Sequence, residues 1–581
     1  MMSQQISPDL VIRNGLVADG LGAPLRRADV AISGDRIVAV GEVGARGAEE
    51  IDAAGALVTP GFVDVHTHYD GQAVWAERFS PSSAHGVTTV VMGNCGVGFA
   101  PCRPEDHEVL VSVMEGVEDV PEIVMTTGLD WSWETFPQFL DTLEGRPHDI
   151  DFGVYLPHSP LRVYVMGDRG VRREEAQEAD LDRMREITRE AMRAGALGFA
   201  TSSVPAHRTG QGEFIPSFQS AEAEYLAIAG AMTDTGRGVF QMVLDQRNPA
   251  DAERFVPMLE RISDRTGRTV TFTLTQMMDG PPDAYRSVLA AVSEANRKDG
   301  VEIRPQVFPR PMGMLLGIDL TLNPFSLCPS YEPLLKLSVP DRVAALRDPD
   351  LRARLLVEQP SDPKNPLFVI ARDWKRLYPF RTPADYEPPK STSIAALAAQ
   401  TGRSPEDIAY DLLLENDGAG MILAAITNYA EATLDAVFEM ITHEDTVVAL
   451  GDGGAHYGLI CDASFPTFML THWARDRDSQ KIELSDAVEA LTSRPARLVG
   501  LEDRGVIAPG YKADINIIDL DRLQLRMPHI DRDLPGGGRR LNQGAVGYRA
   551  TLVSGKVIQR DGVPTDALPG RLIRGPQPLT A

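Results

Sequence analysis

Eight short apolar runs, separated by stretches with helical periodicity, constrain the fold of this chain more than any other feature. The runs occupy 61–66, 87–93, 152–157, 197–201, 238–243, 270–274, 302–307 and 447–452. The segment 173–194 shows the helical pattern, with Leu181, Met184 and Ile187 on one side and Gly195 directly after it. Continuous apolar strands that alternate with helices predict a parallel sheet covered on both faces. Eight such units predict an α/β fold, a (β/α)₈ TIM-like barrel.

The two ends of the chain share a different pattern of short β-like runs that end at glycine or proline. These runs fill 9–59 and return at 510–521 and 548–562. Isolated hairpins are only marginally stable, so we expect the ends to combine. The predicted domains are one composite β domain formed by both termini, 1–60 and 505–581, and a barrel over 61–504. The segment 308–392 is rich in proline, leucine and arginine, and we interpret it as a long, partly helical insertion at the catalytic end of the barrel.

Composition narrows the classes of partner. The chain has 581 residues and a formal net charge of −25, which argues against nucleic acid and against an anionic membrane as partners. Four cysteines do not make a disulfide framework, and the N-terminal residues lack the basic and apolar blocks of a signal peptide. We therefore expect a cytoplasmic protein with a small-molecule substrate. Nothing in the sequence fixes an interface, so a homo-oligomer remains an open alternative.

The strongest chemical signal is the pair His66 and His68 at the end of the first predicted strand. Side chains at i and i+2 point to the same side of a strand, so the two imidazoles converge. They would do so at the C-terminal rim, where barrel enzymes place their active sites. Two convergent imidazoles at that rim indicate a metal site.

Two further candidates follow other predicted strands. Cys95, in Gly-Asn-Cys-Gly, comes after the second strand, where it could also be an ordinary buried thiol in a turn. Asp452, in Leu-Gly-Asp-Gly-Gly-Ala-His, follows the eighth strand, and Asp-Gly-Gly also suits a plain turn. Strands one and eight are neighbours in a closed barrel, so Asp452 would face the histidine pair. There it could bind the metal and take a proton from metal-bound water.

The motifs PGFVDVHTHYD, GNCG, LPHSPLRVYVMG, DGGAH and GYKADINIIDLD together resemble the amidohydrolase superfamily, and within it the D-aminoacylase (N-acyl-D-amino-acid deacylase) family. The resemblance spans nearly the whole chain and implies zinc-assisted amide hydrolysis in a barrel with a composite β-sandwich. It implies that His66, His68 and Cys95 are metal ligands and that Asp452 is the catalytic aspartate. It also places His158 near the substrate pocket.

The chain departs from that family at two strands. The resemblance implies metal-binding histidines on strands five and six, but no histidine occurs between His207 and His443. Gln241 and Gln276 occur there instead, and an amide oxygen is a poor zinc ligand. The first lysine of the chain is Lys298, so no earlier lysine can be carbamylated to bridge two metals. We therefore expect one bound Zn²⁺, with another divalent metal as the alternative.

Three residues are candidates for substrate binding: His158, Arg208 and His456. Arg208, on the loop after strand four, could form a bidentate pair with a substrate carboxylate. Arg162, Arg304 and Arg310 compete for that role. His456 is close enough to Asp452 in sequence to orient the substrate or to complete the metal shell.

These observations predict a metal-dependent hydrolase that cleaves the amide bond of N-acylated amino acids or of a related amide. Whether the substrate bears a carboxylate is left open. Two alternatives remain open. The first is hydrolysis of another C–N bond, in a cyclic or aryl amide. The second is a barrel that has lost catalysis and keeps a binding role.

Overall fold

The computed structural model describes residues 7–247 and 252–579. Eight parallel strands, each paired with the next along the chain, form its central sheet. They are Phe62–Asp64, Val87–Met92, Asp151–Pro157, Gly198–Ser202, Val239–Val243, Val270–Leu274, Ile303–Val307 and Val447–Val448. All eight coincide with the apolar runs of the sequence, and the predicted α/β barrel class is confirmed.

The first and last strands of this sheet meet just beyond their ends. The backbone N–H of Asp452 donates to the carbonyl of His66 (3.1 Å), and the N–H of His68 donates to the carbonyl of Gly453 (2.8 Å). Two reciprocal hydrogen bonds hold the chain after strand eight beside the chain after strand one. They bring the two predicted site segments together at the C-terminal rim.

Helices cover the outside of the barrel. Around its strands lie Gln72–Trp75, His107–Glu118, Glu122–Gly128, Phe136–Glu144, His158–Met166, Asp168–Val171, Glu178–Ala194, Glu222–Thr233, Ala252–Thr266, Ala284–Asn296, Asp435–Ile441, Phe465–Phe468, Leu484–Leu491 and Ser493–Leu498. The helix predicted from the pattern at 173–194 begins at Glu178, buries Leu181, Met184 and Ile187, and ends before Gly195. Gly195 has φ +119°, a conformation that glycine adopts without strain.

Strands from both ends of the chain share one nine-stranded sheet. Its members are Leu10–Val17, Arg26–Ser33, Arg36–Gly41, Glu49–Asp52, Leu57–Pro60, Ile515–Ile518, Tyr548–Val553, Lys556–Arg560 and Val563–Pro564. The two ends join where Leu57–Pro60 pairs antiparallel with Ile515–Ile518. Apolar side chains from both ends, such as Ile12 and Ile515, form one core. The exact domain boundaries remain a prediction.

The connection between strands seven and eight has a core of its own. A three-stranded antiparallel sheet, Met312–Leu316, Leu377–Phe380 and Met421–Thr427, supports it. Its helices are Val339–Leu346, Pro349–Leu355, Pro366–Ala371, Ile394–Thr401 and Pro405–Gly418. The predicted insertion at 308–392 is thus partly helical, but its sheet includes a strand well past residue 392. That strand looked like any other apolar run in the sequence.

A buried ion network fixes the terminal sheet to the opposite, N-terminal end of the barrel. Asp151, at the start of the third strand, accepts from Nη1 of Arg504 at 2.8 Å and also contacts Nζ of Lys512. Two short ribbons, Gln524–Leu525 with Ala545–Val546 and His529–Leu534 with Gly538–Asn542, complete the C-terminal part. In the described part of the chain, no helix has the length and apolar character needed to cross a membrane.

Candidate metal centre

Three chain segments meet at the C-terminal rim of the barrel and carry the predicted ligands. His66 and His68 lie just past strand one, and each is 2% exposed. Cys95 sits in the single turn Asn94–Gly96 after strand two, with φ +56°. Asp452 follows strand eight with φ +45°. A non-glycine residue in this region is held there by its surroundings at a cost of about 1 to 3 kcal/mol, and such residues cluster at functional sites.

The donor atoms of His66, His68 and Cys95 form one cluster, and the carboxylate of Asp452 lies beside its two imidazoles. Sγ of Cys95 lies 3.4 Å from Nε2 of His66 and 3.8 Å from Nε2 of His68. Oδ1 of Asp452 lies 3.6 Å from each of the same nitrogens. A tetrahedral zinc ion with bonds of about 2.0 to 2.3 Å separates its ligand atoms by about 3.3 to 3.8 Å. The ligand atoms of His66, His68 and Cys95 all lie within 4.8 Å of one another, a group that could hold such an ion. Asp452 lies outside that group of three but beside both imidazoles, and its Oδ1 is buried without a hydrogen-bond partner among the described residues.

The other ring nitrogens of the two histidines face polar side chains. Nδ1 of His66 lies 2.7 Å from Oε1 of Gln306, on strand seven. Nδ1 of His68 lies 3.4 Å from Oε1 of Glu118, the last residue of the helix His107–Glu118. An acceptor at Nδ1 keeps the proton there and leaves Nε2 as the metal ligand. For His66 this hydrogen bond leaves Nε2 free to bind a metal ion, whereas Nδ1 of His68 is near Glu118 without a hydrogen bond.

Burial sets the charge of the centre. It lowers the pKa of His66 to about 4 and that of His68 to about 3, so both rings are neutral at pH 7, which is the form that binds metal. Burial, with the neighbouring carboxylates of Glu118 and Asp452, raises the pKa of the Cys95 thiol. Burial also raises the pKa of Asp452, against the opposing effect of the nearby His66 ring. Burial thus disfavours the charged forms of Cys95 and Asp452, and a bound cation would offset that penalty.

Of the three predicted substrate-binding residues, His456 lies beside the centre. Its Nε2 is 3.5 Å from Oε2 of Glu118, the same carboxylate that faces His68. Asp452 and His68 are both close enough to influence its pKa, which burial lowers to about 4. Glu118 thus connects a candidate ligand to a residue on the loop after strand eight.

The structure places His158 away from the barrel interior, which corrects its predicted position. Its ring packs against Phe199 and Tyr225, on the side of the sheet that faces the helices. Both ring nitrogens are engaged, Nδ1 with Thr201 at 2.8 Å and Nε2 with Glu224 at 2.6 Å. The strand ends at Pro157 and a helix begins at His158, so the side chain turns toward the helical layer.

Arg208 lies on the rim loop after strand four, as predicted, but its guanidinium is occupied locally. It stacks on the ring of Phe214 at 3.9 Å and donates to the carbonyl of Gly212 at 2.9 Å. The preceding residue, His207, lies close enough to His66 and His68 to interact with them electrostatically. Its Nδ1 lies 2.8 Å from Oγ of Ser202, and burial and the neighbouring ring of His68 lower its pKa to about 3.

Sequence reasoning did not single out Glu118, Gln306 or His207. Glu118 ends a surface helix and Gln306 lies within an apolar strand, so neither carries a local motif. His207 had a usable signal, because it occupies the loop that follows a barrel strand. Gln276, in contrast, lies beyond strand six, and its amide bonds to Pro282 and Ala430 in structural contacts. Asp245 is paired with Arg247 on its own loop.

Comparison with known proteins identifies the family. The family model for the amidohydrolase family matches residues 49–559. The chain belongs to the amidohydrolase family. It is a hydrolase that acts on a C–N bond, as the motifs predicted, and the resemblance to D-aminoacylases is confirmed by its relatives.

Three of those relatives show the extent of the similarity. N-acyl-D-glutamate deacylase of Alcaligenes xylosoxydans xylosoxydans is 27% identical over 97% of this chain and 96% of its own length. A structure of D-aminoacylase, described with a binuclear metal centre, matches with a TM-score of 0.64 at 21% identity, covering 97% of this chain and 99% of that one. N-acyl-D-glutamate deacylase from Bordetella bronchiseptica, complexed with zinc and a phosphonate inhibitor, matches with a TM-score of 0.64 at 24% identity over 98% and 100%. At these identities the two structures establish the shared fold.

Proposed function

We propose that this chain cleaves the amide bond of an N-acylated amino acid or a related small amide, with one divalent metal ion, zinc, held by His66, His68, Cys95 and Asp452. The observation that carries the proposal is the set of four distances of 3.4 to 3.8 Å among the donor atoms of these residues. The donor set of two imidazoles, a thiol and a carboxylate suits zinc, because thiolate ligands favour it over magnesium or calcium.

The number of ions follows from the chemistry of strands five and six. The structure of D-aminoacylase is described with a binuclear centre. In this chain the barrel wall at strand five carries Gln241, whose neutral amide is a poor zinc ligand. Asp245 is already paired with Arg247. A second ion would therefore find no imidazole ligand on strands five and six.

When bound, zinc would polarise the scissile carbonyl and lower the pKa of a coordinated water. Asp452 lies where its carboxylate can transfer a proton from the attacking water to the leaving group. Its Oδ1 faces the two histidines, which leaves Oδ2 to accept a proton from the attacking water and to pass it to the departing nitrogen.

The residues around the ligands orient them and exclude water. Gln306 holds His66 with its Nε2 free for the metal, and Glu118 lies beside Nδ1 of His68. His456, beside Glu118, is a candidate for contact with the substrate. Arg208 and His158 are engaged elsewhere, so the proposal assigns them no role in binding.

The test is metal-dependent hydrolysis. Protein purified in chelator and reloaded with zinc should release amine from N-acyl amino acids or related amides, and chelated protein should not. The double variant His66→Ala, His68→Ala should bind no zinc and release no amine. Full activity in protein shown to be free of metal would refute the proposal.

A further inference from the structure

The inner wall of the barrel beside the metal centre carries uncharged polar groups that have no partner in the described part of the chain. They come from four strands: Tyr155 on the third, Gln241 on the fifth, Thr273 on the sixth and Gln306 on the seventh. The unpartnered atoms are Oη of Tyr155, both amide atoms of Gln241, Oγ1 of Thr273 and Nε2 of Gln306. Tyr155, Gln241 and Gln306 are each 0% exposed, and Thr273 is 7% exposed.

Strand register shows that three of these side chains face the barrel interior. Gln306 reaches His66, so it points inward, and Thr273 is its direct partner on strand six. Thr271 lies two residues from Thr273, on the same face, and it pairs with Gln241. The alternate residues point outward, since Phe272 packs against Phe255 of a covering helix.

Gln306 is oriented by its neighbour. A metal ligand at Nε2 must carry its proton on Nδ1, so His66 donates to Oε1 of Gln306. The amide NH₂ of Gln306 therefore points away from the metal and toward the interior. It offers a donor beside Thr273, where Oγ1 is also unpartnered.

Buried amides without partners need an explanation. A donor or acceptor left unbonded in the interior destabilises the fold, and native proteins leave few of them. Gln241 has two such groups in one side chain. Its pairing partner on strand four is Ala200, which has no polar side-chain group to offer it. A bound molecule with hydrogen-bonding groups would satisfy this wall.

The contacts of the four arginines that could bind a substrate carboxylate indicate the charge of the bound molecule. Arg310 is buried against Asp462 at 3.0 Å, and Arg162 pairs with Glu224 on the helical side of the sheet. Arg304 pairs with Asp445 at 3.2 Å, and Arg208 stacks on Phe214. Each arginine that the sequence offers for a carboxylate is thus engaged elsewhere, while the inner wall is neutral.

We propose that Gln241, Thr273, Gln306 and Tyr155 form a neutral hydrogen-bonding subsite, and that the substrate places an uncharged polar group, such as a carboxamide or hydroxyl, against it. The preferred substrate is then a neutral amide rather than an N-acyl amino acid with a free carboxylate. This inference rests on the proposed function and specifies its substrate class. A site built to hydrogen-bond a polar group rejects analogues that leave its own groups unpaired.

The experiment compares an N-acetyl amino acid with its carboxamide, of the same side chain and configuration, on zinc-loaded protein. Acetate release by the native protein gives kcat/KM for each, and equilibrium dialysis with zinc-loaded Asp452→Asn, whose turnover should be at least about a hundredfold lower, gives each dissociation constant. We expect the carboxamide to be favoured at least about tenfold in both measurements, the scale of one or two hydrogen bonds. Equal or tighter binding of the carboxylate would overturn the subsite.

Variants locate the effect on the wall. Gln241→Leu should weaken carboxamide binding about tenfold, the scale of one lost hydrogen bond, and leave zinc content unchanged. Gln559→Leu, the same exchange at a buried glutamine of the terminal sheet, should change neither. If Gln241→Leu folds poorly, Gln241→Met serves with the same expectation. Unchanged binding in a folded Gln241 variant would show that water alone satisfies the wall, and the subsite would be refuted.

Failure of the proposed function gives a different result. If zinc-loaded protein hydrolyses neither compound, the amide hydrolysis proposed above fails. The dialysis measurements still decide the subsite in that case. Selective binding of the carboxamide by the native protein that is lost in Gln241→Leu would support it. A native protein without that selectivity, or selectivity that survives in Gln241→Leu, would refute it.

Discussion

Nδ1 of His66 lies 2.7 Å from Oε1 of Gln306, a residue 240 positions later in the chain. The contact links strand seven to the end of strand one across the barrel interior. It fixes which ring nitrogen of His66 is free for a metal ion, because the nitrogen bonded to Gln306 keeps the proton. Strand seven thus contributes to the centre without supplying a ligand.

This contact predicts an effect of Gln306 on metal binding. Gln306→Leu should lower zinc affinity about ten- to a hundredfold, because the imidazole of His66 loses the acceptor that orients it. Competition with a chelator of known affinity measures the change. Gln241→Leu is the control, since Gln241 lies on the same wall and contacts neither histidine. Equal zinc affinity in the Gln306 variant and the native protein would contradict the assignment.

Asp452 should be essential for turnover but not for folding. Asp452→Asn keeps the size of the side chain and removes its ability to accept a proton, so turnover should fall by at least about a hundredfold. Circular dichroism and a thermal melt check that the variant folds. Asp279→Asn removes an exposed carboxylate and should leave turnover unchanged. Near-normal kinetics in Asp452→Asn would show that another group takes the proton.

The metal should be a single ion with a preference that depends on Cys95. Elemental analysis of protein purified without added metal should give one divalent ion per chain. Cys95→Ser replaces the soft thiolate by a hard oxygen, so the preference for zinc over manganese should decrease. Cys102→Ser, at a buried thiol outside the donor cluster, should leave that preference unchanged. Two stoichiometric ions in the native protein would contradict the single-ion model.

The sequence predicted the barrel well because its signals are local. Each strand is a continuous apolar run, and His66, His68, Cys95 and Asp452 follow three of these runs directly. The predictions for His158 and Arg208 differ from the structure because the local backbone turn sets the direction of each side chain. At the end of strand three the helix begins at His158, and this turns His158 outward. After strand four the loop turns Arg208 toward Phe214 and brings His207 toward the centre.

The surroundings of the ligands could not be predicted in the same way. Glu118 lies 50 positions from His68 in the chain, at the end of a helix, and its contact depends on how that helix packs. Gln306 sits inside an apolar strand, where a glutamine without a partner would usually be unfavourable. Both positions become meaningful only when the barrel brings strands one and seven and the helix His107–Glu118 together.

The network around His158 yields a prediction about acid stability. Glu224 accepts from Nε2 of His158 at 2.6 Å and from Nη1 of Arg162 at 2.7 Å. Burial alone would raise the pKa of Glu224, but the contacts with His158 and Arg162 lower it to about 2, from an ordinary 4.5. A lowered carboxyl pKa contributes stability above pH 4.5, and that contribution is lost as the pH falls toward 2.

Glu224→Gln should therefore lower the free energy of unfolding by about 3 kcal/mol at pH 7, the equivalent of the pKa shift. The difference between native protein and variant should shrink between pH 5 and pH 3, as Glu224 in the unfolded native chain becomes protonated. Urea denaturation of both proteins at pH 7, 5 and 3 measures it. The control is Glu222→Gln on the same helix, which breaks a partly exposed pair with Arg261 and should cost at most about 1 kcal/mol. A difference that stays constant across this pH range would show that Glu224 stabilises the fold through packing rather than through its charge.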